Sequence, residues 1–163
     1  MKGTAFKFGD NISTDHIAPG RLFHLRSDLA EFSKHVLEDA DETFASRIKK
    51  GDFIVAGKNF GLGSSREHAP QIIKIAGVGA VLAKSFARIF YRNAVNIGLL
   101  VVECDTDRID AGDELDLDIK NGNIHNLTKK TVIKTEPFPP IMIKLLDDGG
   151  LIEHIKKNGD FKL

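Results

Sequence analysis

Ser64, Ser65 and Arg66 close a glycine-rich run, Gly57-Lys58-Asn59-Phe60-Gly61-Leu62-Gly63-Ser64-Ser65-Arg66-Glu67-His68-Ala69-Pro70. Glycines let a backbone approach a ligand closely, serine hydroxyls can cap a helix or exchange a proton, and a guanidinium grips a carboxylate through two parallel hydrogen bonds. The run joins the apolar Phe53-Ile54-Val55-Ala56 to the helical pattern Gln71-Ile72-Ile73-Lys74-Ile75-Ala76, so it reads as strand, loop, helix start. Unpaired N–H groups at such a start, with Arg66 beside them, attract an anion, and a small carboxylate is the natural guest. Three other glycine motifs fail here. A phosphate loop needs Ser or Thr after Gly57-Lys58, where Asn59 stands. A dinucleotide fingerprint from Gly61 needs glycine in place of Arg66, and a nucleophile elbow around Ser65 needs glycine in place of Glu67.

Further candidates lie on both sides of the loop. Asp15 and His16 sit in Gly9-Asp10-Asn11-Ile12-Ser13-Thr14-Asp15-His16-Ile17, where the polar residues could equally shape a turn. Arg88 and Arg92 are spaced i, i+4 in a helical segment, which puts them on one face for salt bridges or a partner, while Phe86, Ile89 and Phe90 are expected in the core. Cys104 is the single cysteine, so neither an internal disulfide nor the thiolate set of an iron–sulfur cluster can be built here. It reads as a small packing residue. No metal site is expected on this chain.

Composition narrows the class. The 163 residues suit one domain, and 23 basic residues against 23 acidic ones leave no footprint for nucleic acid or an anionic membrane. Apolar runs fall far short of the ~20 residues of a membrane span. Met1-Lys2-Gly3-Thr4 leads into a mixed strand rather than a signal core, so the expected location is cytoplasmic.

The elements that must hold these side chains form an α/β pattern. Thr4 to Phe8 alternates as a strand, and Asp28 caps a helical stripe of Leu29, Phe32 and Val36. The runs 53–56, 80–83 and 99–103 are short strands parted by helices, with Gly77 and Gly98 at helix ends, as in βαβ crossovers with a parallel sheet. Residues 114–119 alternate and meet Asn121-Gly122, a hairpin signal pointing toward Thr131-Val132-Ile133-Lys134. Three prolines, at 137, 139 and 140, then precede two short helices over 141–155, parted by Gly149-Gly150.

Three segments together, 9–17, the glycine loop and Lys84-Ser85-Phe86-Ala87-Arg88-Ile89-Phe90-Tyr91-Arg92-Asn93, resemble in order and spacing the small-subunit, or swivelling-domain, part of the aconitase and isopropylmalate dehydratase family. The likeness covers about the first two-thirds of the chain; beyond Asp105 only length and element order match. It implies an α/β swivelling domain of β/β/α type over 1–163, with a parallel βαβ core, a C-terminal hairpin and short helices. It implies that Ser64, as an alkoxide, removes a proton from the carbon beside a carboxylate, that Arg66 and Ser65 bind that carboxylate, and that Asp15 orients a partner histidine. The 4Fe-4S cluster of such enzymes then belongs to a large subunit, the expected partner.

The resemblance also places substrate choice in Pro19-Gly20-Arg21-Leu22-Phe23-His24-Leu25-Arg26-Ser27. Leu22, Phe23 and Leu25 suit a branched alkyl group, whereas Arg26 suits an extra carboxylate. The implied reaction is reversible dehydration of a substituted malate: 3-isopropylmalate first, 2,3-dimethylmalate next, a homoaconitate-type tricarboxylate third. The contrasting class is a non-catalytic anion-binding domain.

Overall fold

Runs of Val, Ile, Leu, Ala and Phe without polar alternation are what a strand needs when both of its faces are covered, and Phe53–Ala56 and Ala80–Ala83 are buried along their whole length. A computed structural model describes residues 1–159; residues 160–163, the end of the expected 1–163 domain, lie outside the described residues. Strand β1 is Lys2–Lys7, β2 Phe53–Ala56, β3 Ala80–Ala83, β4 Val101–Glu103, β5 Glu114–Asp118, β6 Asn123–Asn126 and β7 Thr131–Lys134. The helices are α1 Thr14–Ile17, α2 Leu29–Ser33, α3 Phe44–Arg47, α4 His68–Ile75, α5 Arg88–Asn96, α6 Pro140–Asp147 and α7 Leu151–Asn158.

All seven strands form one mixed sheet in the order β4-β3-β2-β1-β5-β6-β7. The first four run parallel, with Ala5 beside Phe53, Phe53 beside Ala80 and Val81 beside Val101. The last three run antiparallel from β1 outward. Alternation along β2 and β3 divides the apolar side chains between two cores. Ile54, Ala56, Val81 and Ala83 pack with Phe32, Ile72, Ile73 and Phe90 of the helices. Phe53, Val55 and Leu82 face the other way and share a cluster with Leu115, Leu117, Ile124 and Ile133, so the sheet curls until its antiparallel arm covers its parallel half.

The parallel core and the two terminal helices stand where the periodicity puts them. The C-terminal hairpin differs. Asn121-Gly122 turns β5 into β6 rather than directly toward β7, and the unit is a three-stranded meander with Leu117 opposite Ile124 and Ile124 opposite Ile133. Residues Asn123-Ile124-His125-Asn126 hold one strongly apolar side chain, so composition hides this strand and cross-strand pairing makes it. Ile89 also departs from expectation, being 48% exposed. Phe86 lies before α5 in non-helical chain, so the inward stripe is set by Phe90 and Ala94, and Ile89 is rotated away from it.

Candidate active site

The three segments singled out above all leave the carboxyl ends of parallel strands: 8–13 after β1, 57–67 after β2 and 84–87 after β3. That edge of an open α/β sheet is where ligands bind. Backbone bonds zip the segments together: Asn11 N–H donates to Lys58 O at 2.8 Å, Gly61 N–H to Ile12 O at 2.7 Å and Thr14 N–H to Leu62 O at 2.8 Å. On the other flank Phe60 N–H donates to Ser85 O at 3.0 Å, and Ala87 N–H to Phe60 O at 2.9 Å. Asp10 receives the Lys58 N–H at 2.7 Å and Ser85 Oγ receives the Asn59 N–H at 2.8 Å, so Lys58 and Asn59 shape the loop through their backbone.

Gly61 (φ +84°) is glycine for two reasons. Its backbone is left-handed, and a Cβ there would collide with the ring of Phe90. Phe90 in turn meets the buried Phe60 edge-on with ring centroids 5.2 Å apart. The loop is thus clamped at Phe60 and Gly61 and emerges at Ser64 and Ser65, both exposed.

Neither serine caps the following helix. Helix α4 starts at His68, its N-cap is Glu67 and no side chain accepts from its first turn; Ser64 instead lends its carbonyl to Arg66 N–H at 2.8 Å. This removes the capping account of both hydroxyls. The Ser64 Oγ stands 3.4 Å from Thr14 Oγ1, a neighbour that sequence reasoning passed over because Thr14 lies before the more conspicuous Asp15.

Arg66 is the hub. Its Nη1 lies 2.6 Å from Asp15 Oδ1 and donates to Ala18 O at 3.0 Å, and its side chain is only 21% exposed. Two anchors fix the guanidinium plane before any ligand arrives. Asp15, 64% exposed, stays at the surface beside it. His16 turns the other way: its Nδ1 accepts the Ser13 N–H at 2.9 Å while Ser13 Oγ accepts the His16 N–H at 3.2 Å, a reciprocal cap that holds α1 and leaves His16 structural.

The segment expected to set substrate choice is a kinked 3-10 run, Gly20–Ser27. It brings Phe23 to Arg66, with the guanidinium carbon 5.6 Å from the ring centroid, and Phe23 is 42% exposed. Leu22 and Leu25 pack partly against the core instead. Arg26 stacks on Phe23 at 4.3 Å and donates to Phe23 O at 3.1 Å, so its charge is engaged within its own loop. His68 lies beneath, stacked on Phe32 at 5.4 Å and tilted against Phe23 at 5.8 Å. Burial, then the nearby Arg66 and Arg26, holds its pKa below the usual imidazole value. On the sequence His68 reads as a packing or loop-tuning residue rather than a catalytic one, and in the structure it supports the ring that lies beside Arg66.

Cys104 is not part of this site. Burial, then Asp105, pushes its thiol up to about 12, the setting of an inert packing cysteine. The groove at Ser64 is walled on one side by Gly61 and Gly63 and on the other by Ala87, Arg88, Ile89 and Arg92.

Comparison with known proteins shows the family and the fold. The chain is 61% identical to the 3-isopropylmalate dehydratase small subunit 2 of Archaeoglobus fulgidus, across 100% of this chain and 99% of that protein. It is 59% identical to the small subunit 1 of the same name from Thermotoga maritima, across 99% and 98%. Its fold superimposes on the crystal structure of 3-isopropylmalate dehydratase from Methanocaldococcus jannaschii with a TM-score of 0.91 at 45% identity, covering 97% of this chain and 94% of that one. The aconitase C-terminal domain model matches residues 11–107, a stretch that holds Asp15, Ser64, Arg66 and the wall formed by Arg88 and Arg92. Sequence, fold and the meeting of the three loops thus lead to one assignment: the chain belongs to the aconitase C-terminal domain family.

Proposed function

We propose that the chain is the small subunit of a two-subunit hydro-lyase that reversibly dehydrates a substituted malate, with 3-isopropylmalate, the intermediate of leucine biosynthesis, as its substrate. The observation that carries this reading is an uncapped, exposed Ser64 two residues before an Arg66 already held by Asp15 and Ala18, in a chain whose full-length relatives bear the name of that enzyme. In this mechanism Arg66 clamps the substrate carboxylate through two parallel bonds and the Ser65 region faces it. Ser64 Oγ takes the proton from the adjacent carbon and returns it in the reverse direction. Negative charge on that oxygen is stabilised by the positive charge of the nearby guanidinium. Asp15 keeps Arg66 in its plane and remains open to a second partner across the site.

Loss of the substrate hydroxyl calls for a 4Fe-4S cluster, and the residues of this chain do not fit one. There is one cysteine, with its thiol proton held up to about 12, and among the described residues no group of His, Cys, Asp and Glu is disposed to hold a metal ion. The cluster in this reading is carried by the large subunit, and 1–163 acts as one domain that closes on it. Among the described residues no helix is long and apolar enough to cross a membrane, which accords with the proposed cytoplasmic site of action.

An exposed Phe23 beside Arg66, with Arg26 turned onto that ring, favours an alkyl substituent over a third carboxylate. The test is reconstitution. Purified alone, the chain should not convert 3-isopropylmalate; mixed with its cluster-loaded large subunit it should, and with higher kcat/KM than for homoaconitate. Activity from the isolated chain, or a strong preference for the tricarboxylate that Arg26→Ala abolishes, overturns the assignment.

A further inference from the structure

Arg88 and Arg92 are both exposed, sit one helical turn apart on α5 and line the same groove as Ser64, a cavity of about 520 Å³. Elsewhere the arginines near carboxylates use them: Arg21 pairs with Glu38 and Asp39, Arg47 with Asp41 and Arg66 with Asp15. Among the described residues no carboxylate lies within 4 Å of Arg88 or Arg92. Like charges at this spacing oppose helix formation, and among the described residues the one carboxylate that shares their surroundings, Glu103 in the adjoining pocket, makes no ion pair with either arginine. Beside them Ile89 is 48% exposed, although the adjacent Phe90 is buried.

An apolar side chain flanked by two unpaired guanidiniums is the composition of a protein interface, in which arginine is enriched and supplies a large part of the binding energy. A small acid would satisfy one guanidinium and leave Ile89 wet. The position of the patch says what must cover it. Ser64 is exposed at the groove, and a serine acting as base needs bulk water held off its oxygen while the one water exchanged with substrate keeps its place, so a surface from another chain has to seat against the groove walls.

We propose that the α5 face formed by Arg88, Ile89 and Arg92 is the docking surface for the large subunit, which presents carboxylate side chains to the two arginines and an apolar side chain to Ile89. This inference rests on the reading of the chain as a dehydratase small subunit. Docking here brings the partner's surface over Ser64, so that assembly and closure of the site are one event.

The experiment measures association of the full chain with its purified large subunit, by calorimetry or sedimentation, at low and at moderate salt. The parent chain should bind, more weakly as salt rises. The double variant Arg88→Glu/Arg92→Glu should bind about 100-fold more weakly or worse, with its salt dependence reversed or lost. Arg88→Ala and Ile89→Asp should each weaken binding, while Ser64→Ala and a distant control, Lys156→Glu on α7, should bind as the parent does. Circular dichroism and melting establish that each variant is folded; all these positions are exposed. Association of the double variant at parental strength overturns the proposal. So does a raised KM for 3-isopropylmalate with association unchanged, because the arginines then hold substrate rather than partner. A parent chain that fails to bind the large subunit overturns the underlying functional reading, and this inference with it.

Discussion

A serine hydroxyl holds its proton too tightly to act as a base unless its surroundings favour the oxygen anion. Beside Ser64 the structure places the Thr14 hydroxyl at 3.4 Å, and the proposed mechanism adds the positive charge of Arg66, two residues on. In that proposal Arg66 does more than supply charge, since its anchors at Asp15 and Ala18 fix the direction in which its guanidinium is presented. The two residues therefore differ in what their loss should do. In the assembled enzyme Ser64→Ala should lower kcat by about 10²–10⁴-fold, the usual range for a positioned acid–base group, with KM nearly unchanged. Arg66→Lys should raise KM as well as lower kcat, because an ammonium cannot reproduce the planar two-bond clamp and leaves Asp15 or Ala18 without its donor. Steady-state kinetics separates them. A Ser64→Ala enzyme that turns over within a few-fold of the parent would return that hydroxyl to a structural role.

At the scale of elements, the site is a consequence of three loops bonded edge to edge at the carboxyl ends of β1, β2 and β3. The clamp between Gly61 and α5 is one of the tight points of that arrangement. Gly61→Ala would force a side chain onto left-handed backbone and into the Phe90 ring, with strain of about 1–3 kcal/mol from the backbone alone. It should lower the melting temperature and also disturb activity, because the backbone that relieves the clash is the backbone that carries Ser64. Gly112→Ala is the comparison: φ there is +87° but nothing lies within 4 Å of the added carbon, so it should cost stability without touching kcat. Equal activity loss in the two variants would break the link between the clamp and the site.

Across the whole molecule, His68 couples the glycine-rich loop to the 20–27 segment and to the core, since it touches Phe32 and Phe23 and lies near Arg66 and Arg26. Its folded-state pKa is depressed, so the folded chain binds fewer protons there than the unfolded chain does. The stability it contributes is complete above the ordinary imidazole pKa of about 6.5 and is lost as pH falls from there through the lowered folded value. Urea midpoints should therefore decline from neutral pH toward about pH 5, and His68→Gln, which cannot take up the proton, should flatten that decline. An unchanged slope in the variant would place the acid sensitivity elsewhere.

Much of this was legible in the chain itself. Residue types and spacing in 57–70 singled out Ser64 and Arg66 as an anion-binding loop, because a glycine, a hydroxyl and a guanidinium lie there within a few positions of one another, while the proposed roles of Ser64 and Asp15 came from the family resemblance. Apolar runs and turn residues likewise marked the parallel core and the helices α2, α4, α5, α6 and α7, whose signals are short-range, but not α1, α3 or the 3-10 run. Strand β6 was not legible, since its stability comes from neighbours on both sides rather than from its own polar residues. Nor was the fate of the flanking side chains. Whether a serine caps a helix, whether Ile89 faces the core or solvent, and whether Arg88 and Arg92 find carboxylates depend on where separate segments meet. The pairing of Asp15 with Arg66 spans 51 positions of chain. Periodicity carries no information over that distance, and only the packing of β1 against β2 brings the two residues to 2.6 Å.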